Sequence, residues 1–224
     1  MSQPQAARRD FDKEAAQWDA NTFRVNLARD VSAAMIREVH PTQEMTVLDF
    51  GCGTGLITLA LQPLVKSITG ADSSTGMLET LDGKIAAQGL KNVRTQQVDF
   101  EKGQRVDGGY DLIVSSMVTH HVPNTLELFR EWHQLLLPGG RIAFADLDTE
   151  DGAFHGDNTG VFHLGFDRGH LRRLLEQAGF TGIRDTTATV VRKELEGKGL
   201  REFPIFLITA TRGPAAPDGV RKTP

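Results

Sequence analysis

Val47-Leu48-Asp49-Phe50-Gly51-Cys52-Gly53-Thr54-Gly55 decides the reading of this chain. Apolar residues run into an acid, and glycine then falls at every second position. A buried strand that ends in such a loop brings bare backbone close to a ligand, because glycine permits both positive φ and close approach. Asp72 lies 21 residues past Gly51, after a second apolar run. At that distance an acid meets a ribose hydroxyl in nucleotide-binding α/β folds.

Strand-like and helix-like patterns alternate around the loop. Strands are expected at 46–50, 67–71, 93–98, 111–115 and 141–145, and helices at 56–65, 74–88, 125–137 and 167–178. Ser73 or Ser74 suits a helix N-cap, Gly89 a helix stop, and Pro138-Gly139-Gly140 a break. Residues 183–192 and 203–211 read as two last strands with no helix between them, joined through Gly197 and Gly199. Alternation implies a parallel sheet covered on both faces, and the final hairpin makes one strand antiparallel. Ligands bind such sheets beyond the C-terminal strand ends.

Composition narrows the function classes. The chain has 224 residues, 39% of them hydrophobic, and a net charge of -4. That suits one large domain with a real core and gives no basic footprint for nucleic acid. The single cysteine excludes an internal disulfide framework and fits a reducing compartment. No segment approaches the ~18 apolar residues that cross a bilayer. A cytoplasmic protein with a small-molecule ligand, and no membrane insertion, is expected. Residues 1–9 and 212–224 read as disordered; 1–40 reads as a helical lid segment, and 41–211 as the ligand-binding domain.

The chain resembles the class I S-adenosylmethionine-dependent methyltransferases, in the branch of small-molecule and quinone-biosynthesis enzymes. The resemblance runs over roughly residues 11–211. It is carried by VLDFGCGTG (47–55), ADSSTGML (71–78), VDFEKG (98–103), YDLIVSSMVTHHV (110–122), LLLPGGRIAFAD (135–146) and LLEQAGF (174–180), in the family's order. It implies a Rossmann-like α/β sheet of seven strands in the order 3-2-1-4-5-7-6, strand 7 reversed. It also implies S-adenosylmethionine as cofactor, S-adenosylhomocysteine as product, and in-line transfer of a methyl group to a small molecule.

The same resemblance assigns roles. The backbone of Gly51, Gly53 and Gly55 would line the amino-acid and ribose portions of the cofactor. Asp49 would brace the loop or, through water, meet the cofactor's ammonium group. Asp72 would accept both ribose hydroxyls, against an alternative as a helix cap. Ser73 and Met77 would flank the adenine, although Met77 equally suits the core. Asp99 would take the adenine amino group, with Phe100 supplying its backbone N–H, against a solvated loop acid. Ser115 would sit beside the transferable methyl. Phe11-Asp12-Lys13-Glu14-Ala15-Ala16-Gln17-Trp18-Asp19 resembles the family's entry motif, which places Phe11 and Trp18 in a lid or in an amphipathic helix on the sheet. Arg24 either reaches the cofactor carboxylate or forms a surface salt bridge, the latter favoured.

Five of the seven histidines fall between 120 and 163: His120, His121, His133, His155 and His163. The first pair follows the fourth strand, where the resemblance to the family favours a packing or loop-bracing role for at least one of the two. His155 and His163 lie in residues 148–166, a segment too long and polar for a tight turn, with Phe154, Phe162 and Phe166 to wall a pocket. A histidine can take a proton from the acceptor as the methyl moves, and His155 or His163, then His120 or His121, are the expected bases. A metal on His155, Asp157 and His163, with Asp148 or Asp151, is the alternative; the spacing matches no strong metal signature, so no metal is expected. Cys52 reads as a small spacer. Two other readings stay open: a nicotinamide dehydrogenase, and a cofactor-binding scaffold without catalysis.

Overall fold

In the computed structural model, which describes residues 9–213, seven strands form one sheet. They are Thr46–Phe50 (β1), Ser67–Asp72 (β2), Val93–Gln97 (β3), Tyr110–Ser116 (β4), Leu136–Leu147 (β5), Phe180–Leu195 (β6) and Gly199–Arg212 (β7). Their order is β3-β2-β1-β4-β5-β7-β6. The pairs from β3 to β5 are parallel, while β7 runs antiparallel to both β5 and β6. The sheet therefore has the expected order and the expected reversed strand.

The described residues include six α-helices, Phe11–Glu14 (α1), Thr22–Val39 (α2), Leu56–Leu61 (α3), Thr75–Gln88 (α4), Thr125–Leu135 (α5) and Arg168–Gln177 (α6), of which α2 to α6 flank the sheet. Side-chain oxygens begin most of them. Asn21 accepts from Phe23 and Arg24 N–H, Ser74 from Met77, Asn124 from Glu127 and Asp167 from His170. Each satisfies an amide that the first helical turn leaves unpaired. Gly89 closes α4 in the left-handed region.

The central strands alternate between two cores. Leu48 and Ile113 join Phe129, Trp132, Phe144 and Phe206 on one face. Their neighbours Val47, Leu112 and Val114 join Val31, Met35 and Leu61 on the other. Successive side chains of a strand point to opposite faces, so apolar residues on both sides require helices on both sides. Trp132 is wholly buried, its ring centre 5.6 Å from those of Phe50, Phe129 and Phe144. Truncating such a side chain costs about 3–5 kcal/mol.

Several boundaries differ from the sequence expectation. Helix α3 ends at Leu61 and continues as a 3-10 turn, Gln62–Leu64, tightened at Pro63. Helix α5 stops at Leu135, and β5 already begins at Leu136, which pairs with Tyr110 before the register shifts to Leu112 opposite Arg141. Pro138-Gly139-Gly140 is thus a bulge within β5; a Cβ on Gly140 would lie 2.8 Å from the Leu137 carbonyl oxygen. The hairpin strands run longer than expected, to Leu195 and from Gly199. Two residues of the expected disordered ends are placed: Arg9 pairs with Glu14, and Arg212 belongs to β7, donating to Gln134 and Leu136 carbonyls. The rest of both expected segments lies outside the described residues. Among the described residues, no helix is long and apolar enough to cross a membrane.

Candidate functional site

A cavity of about 680 Å³ opens at the C-terminal ends of β1, β2 and β4. One wall is the glycine loop. Gly51, Gly53 and Gly55 have φ of +71°, +53° and +84°, the left-handed region that other residues enter at a cost. A Cβ on Gly51 would lie 2.4 Å from Val118 Cγ2, and one on Gly55 2.3 Å from Leu81 Cδ1. At Gly53 it would meet only Met77 Sδ, at 4.0 Å. Gly51 and Gly55 let the chain pack on itself; Gly53 leaves an open face toward the cavity.

Asp72 ends β2 and holds this wall together. Its carboxylate accepts from Gly53 N–H at 2.8 Å and from Ser74 N–H at 2.9 Å. Burial raises its pKa, against the pull of those amides. Ser73 is exposed and lines the cavity, whereas Met77 is buried with one side on it. Asp99 is largely buried, pairs with Lys102 at 3.1 Å and begins the turn Phe100–Lys102, so both Asp99 and Phe100 reach the wall. Asp49 lies behind the loop, wholly buried, accepting from the Thr58 hydroxyl at 2.6 Å. Burial drives its pKa up to about 7, with the Asp72 charge adding to the rise. The Cys52 thiol, likewise buried, is pushed well above its ordinary value.

Ser115 does not reach the cavity. It is buried and donates to the Phe50 carbonyl at 2.8 Å, tying β4 to β1; the next residue, Ser116, is the one on the wall. A strand alternates its side chains, so a one-residue offset in the strand end exchanges the two positions.

The N-terminal segment crosses over the loop. The Asp12 carboxylate accepts from the Ser74 hydroxyl and from Gly76 N–H. Asp19 accepts from the Thr54 hydroxyl at 2.7 Å and pairs with Lys84. Phe11 packs edge-on against Trp18 and against His121, at 6.0 and 5.3 Å. Arg24 pairs with Glu14 at 2.7 Å and stacks over Trp18 at 3.7 Å, while still facing the cavity. Asp12 and Asp19 fall within the quoted entry motif, but their partners lie 62 and 35 positions away along the chain.

The opposite wall holds imidazoles. His120 and His121 occupy a 3-10 turn after β4, and His155 reaches them from the 148–166 segment. Ring centres lie 4.1 Å apart for His120 and His121, 4.9 Å for His120 and His155, and 6.2 Å for His121 and His155. Each ring is held differently. His120 Nδ1 lies 2.7 Å from Asp146, whose other oxygen accepts from His120 N–H. His121 Nδ1 donates to the Gly160 carbonyl at 2.7 Å, a tautomer assigned from that partner. His155 Nε2 is shielded from solvent without a hydrogen-bond partner among the described residues. Burial and the neighbouring imidazoles push the His121 pKa down to about 4 and that of His155 to about 3.

His163, expected beside these rings, is elsewhere. Its Nε2 lies 3.0 Å from the Val122 carbonyl and its ring packs on Phe166, away from the cavity. Phe166 is likewise core, while Phe154 and Phe162 do line the cavity. Lys193, from β6, also reaches this wall, 4.0 Å above the Phe154 ring. Sequence reasoning did not single out Asp146, although it ends a buried apolar strand just as Asp49 does. Among the described residues, no group of three or more His, Cys, Asp or Glu side chains is placed to hold a metal ion.

Residues 26–185 match the family described as "Methyltransferase domain". An uncharacterized methyltransferase of Schizosaccharomyces pombe is 30% identical over 141 residues, which cover 60% of this chain and 50% of that protein. The ubiquinone biosynthesis O-methyltransferase of Nitrosococcus oceani is 30% identical over 109 residues, covering 48% and 46%. The chain spans about half the length of these curated relatives. The solved DhpI–SAH complex shares the fold, with a TM-score of 0.68, 20% identity, and coverage of 91% of this chain and 94% of that one. With the family match spanning more than half of its length and the sheet in the expected order, the chain belongs to the methyltransferase domain family.

Proposed function

We propose that this protein is an S-adenosylmethionine-dependent methyltransferase that transfers a methyl group to a small-molecule acceptor by in-line displacement. The observation that carries the reading is a single cavity whose two walls differ in kind: glycine backbone and carboxylates on one side, imidazole and aromatic side chains on the other. The residues fit the cofactor. Gly53 leaves open room where any side chain would intrude, and Asp72 ends its strand beside that room. Bound there, S-adenosylmethionine supplies an electrophilic methyl group and its own leaving group.

The chain's residues then orient, enclose and exclude water. Asp72 accepts from the ribose hydroxyls, Asp99 and the Phe100 N–H meet the adenine edge, and Ser73 and Met77 flank its faces. Asp49 stays behind the loop as a brace. Phe11 and Trp18 close over the site, with Arg24 at the rim. The aromatic and imidazole wall receives the acceptor, and alignment of the two reactants can supply about 7–11 kcal/mol of the barrier.

Membership of a methyltransferase family removes the nicotinamide alternative. Calorimetry with S-adenosylhomocysteine tests the rest: binding in the micromolar range is expected, and no binding overturns the reading. Tight binding without methyl transfer to any of a broad acceptor panel supports the non-catalytic alternative.

A further inference from the structure

The histidine wall is unequal in its supports. His121 leans on a backbone carbonyl, and His155 has no hydrogen-bond partner for Nε2 among the described residues. His120 alone faces a carboxylate. Asp146 is wholly buried, 2.7 Å from His120 Nδ1, and its two oxygens also accept from the Leu147 and His120 amides. Burial alone would raise the pKa of Asp146, but His120 and those two amides outweigh it and hold the acid below its ordinary value. The carboxylate therefore fixes the proton on His120 Nδ1 and turns Nε2 into a lone pair. Nε2 is shielded from solvent and without a hydrogen-bond partner among the described residues, as is His155 Nε2 beside it. Buried polar atoms in this state are uncommon in native proteins and point to a partner the fold does not itself contain. A hydroxyl can serve both nitrogens at once, donating to one and accepting from the other.

We propose that His120, held by Asp146, is the base that takes the acceptor's proton, and hence that the acceptor is a molecule that must lose a proton to become a nucleophile: a hydroxyl compound or an acidic C–H compound. The proposal rests on the methyltransferase reading above. The acceptor's O–H or C–H proton passes to His120 Nε2, while its oxygen or carbon forms the bond to the methyl carbon. The methyl–sulfur bond breaks with its electron pair left on sulfur. The imidazolium so formed is an ion pair with Asp146, a carboxylate at hydrogen-bond distance from His120 Nδ1. His120 is the catalytic residue, and Asp146 positions it.

4-Nitrophenol serves as the probe, because its phenolate absorbs where the neutral phenol does not. It is added to protein saturated with S-adenosylhomocysteine, in buffer below the phenol's own pKa. The expected result is a phenolate band on the wild type that is lost in His120→Gln and reduced in Asp146→Asn, with S-adenosylhomocysteine affinity unchanged within twofold in both. His163→Ala, off the cavity, keeps the band. No band on the wild type, or a band that persists in His120→Gln, overturns the proposal; persistence assigns phenolate stabilisation to Lys193. Failure of the wild type to bind S-adenosylhomocysteine overturns the methyltransferase reading instead. Where a variant does not fold, the 15N resonances of the wild-type ring decide. Probe binding should convert His120 from one N–H to two, and an unchanged ring refutes the assignment.

Discussion

The glycine-loop wall and the histidine wall face each other across one cavity, yet they are assembled in opposite ways. The first takes its polar groups from amides and carboxylates at adjacent strand ends: Asp49 near the end of β1 and Gly51–Gly55 after it, Asp72 at the end of β2, and Asp99 after β3. The second collects His120 after β4, His155 from the loop after β5, Phe11 from the N-terminal segment and Lys193 from the hairpin. Their protons differ as well. Asp49 holds its proton up to about pH 7, whereas His155 and His121 refuse theirs until about 3 and 4. A wall made of backbone accepts one fixed shape of ligand, while a wall made of side chains drawn from far apart can be refitted without disturbing the first.

The largest test of this contrast is titration of the apo protein. Folded Asp49 keeps its proton to about pH 7, while the unfolded chain releases it near 3.8. The folded state binds more protons between those values, so this contribution to stability is lost as the pH rises from about 4 to 7. The histidines act in the other direction. Their folded pKa values are depressed below 6.5, so stability is lost as the pH falls from 6.5 toward 3. Asp49→Asn removes only the first limb. Denaturant unfolding should show the variant gaining on the wild type across pH 4–7, by up to about 4 kcal/mol at about 1.36 kcal/mol per pKa unit. A difference independent of pH breaks the comparison.

Next in size is Asp72→Ala. It strips a carboxylate from two amides and from the ribose site together, and charge-assisted bonds are each worth about 1.5–3 kcal/mol. S-adenosylhomocysteine affinity should fall about 100-fold by calorimetry, with the phenolate band restored at saturating ligand; unchanged affinity refutes the role.

The smallest effect sharpens the contrast within the glycine wall itself. Gly51→Ala drives a methyl into Val118, whereas Gly53→Ala meets open space, and each pays the left-handed backbone cost of about 1 kcal/mol. Thermal unfolding should therefore show the larger loss in Gly51→Ala, and ligand affinity the larger loss relative to stability in Gly53→Ala. Equal ratios in the two would mean that Gly53 faces no ligand.

The two walls were also unequally legible. An apolar run, an acid and alternating glycines are local facts, so β1, its loop and Asp72 can be read from spacing alone. The reversed strand follows from a hairpin lacking a helix, while the full sheet order is implied only by the resemblance to a known family. The histidine wall depends on how one loop folds. His155 and His163 are equally attractive as residues, but the path of 148–166 sends one to the cavity and packs the other on Phe166. Asp146 carried the same mark as Asp49, an acid at the end of a buried strand, yet its meaning depends on His120 being 26 positions away and 2.7 Å distant. Ser115 was misplaced by one residue, which in a strand is the difference between core and cavity.

Helix α1 has only four residues, and it touches both walls: Asp12 is tied to Ser74 and Gly76, and Phe11 to His121. So short a piece cannot leave one wall while staying on the other. In the proposed reaction the cofactor wall and the acceptor wall would thus be covered by one and the same segment. Under the proposed reading, any change that loosens residues 11–19 would weaken cofactor binding and acceptor binding together.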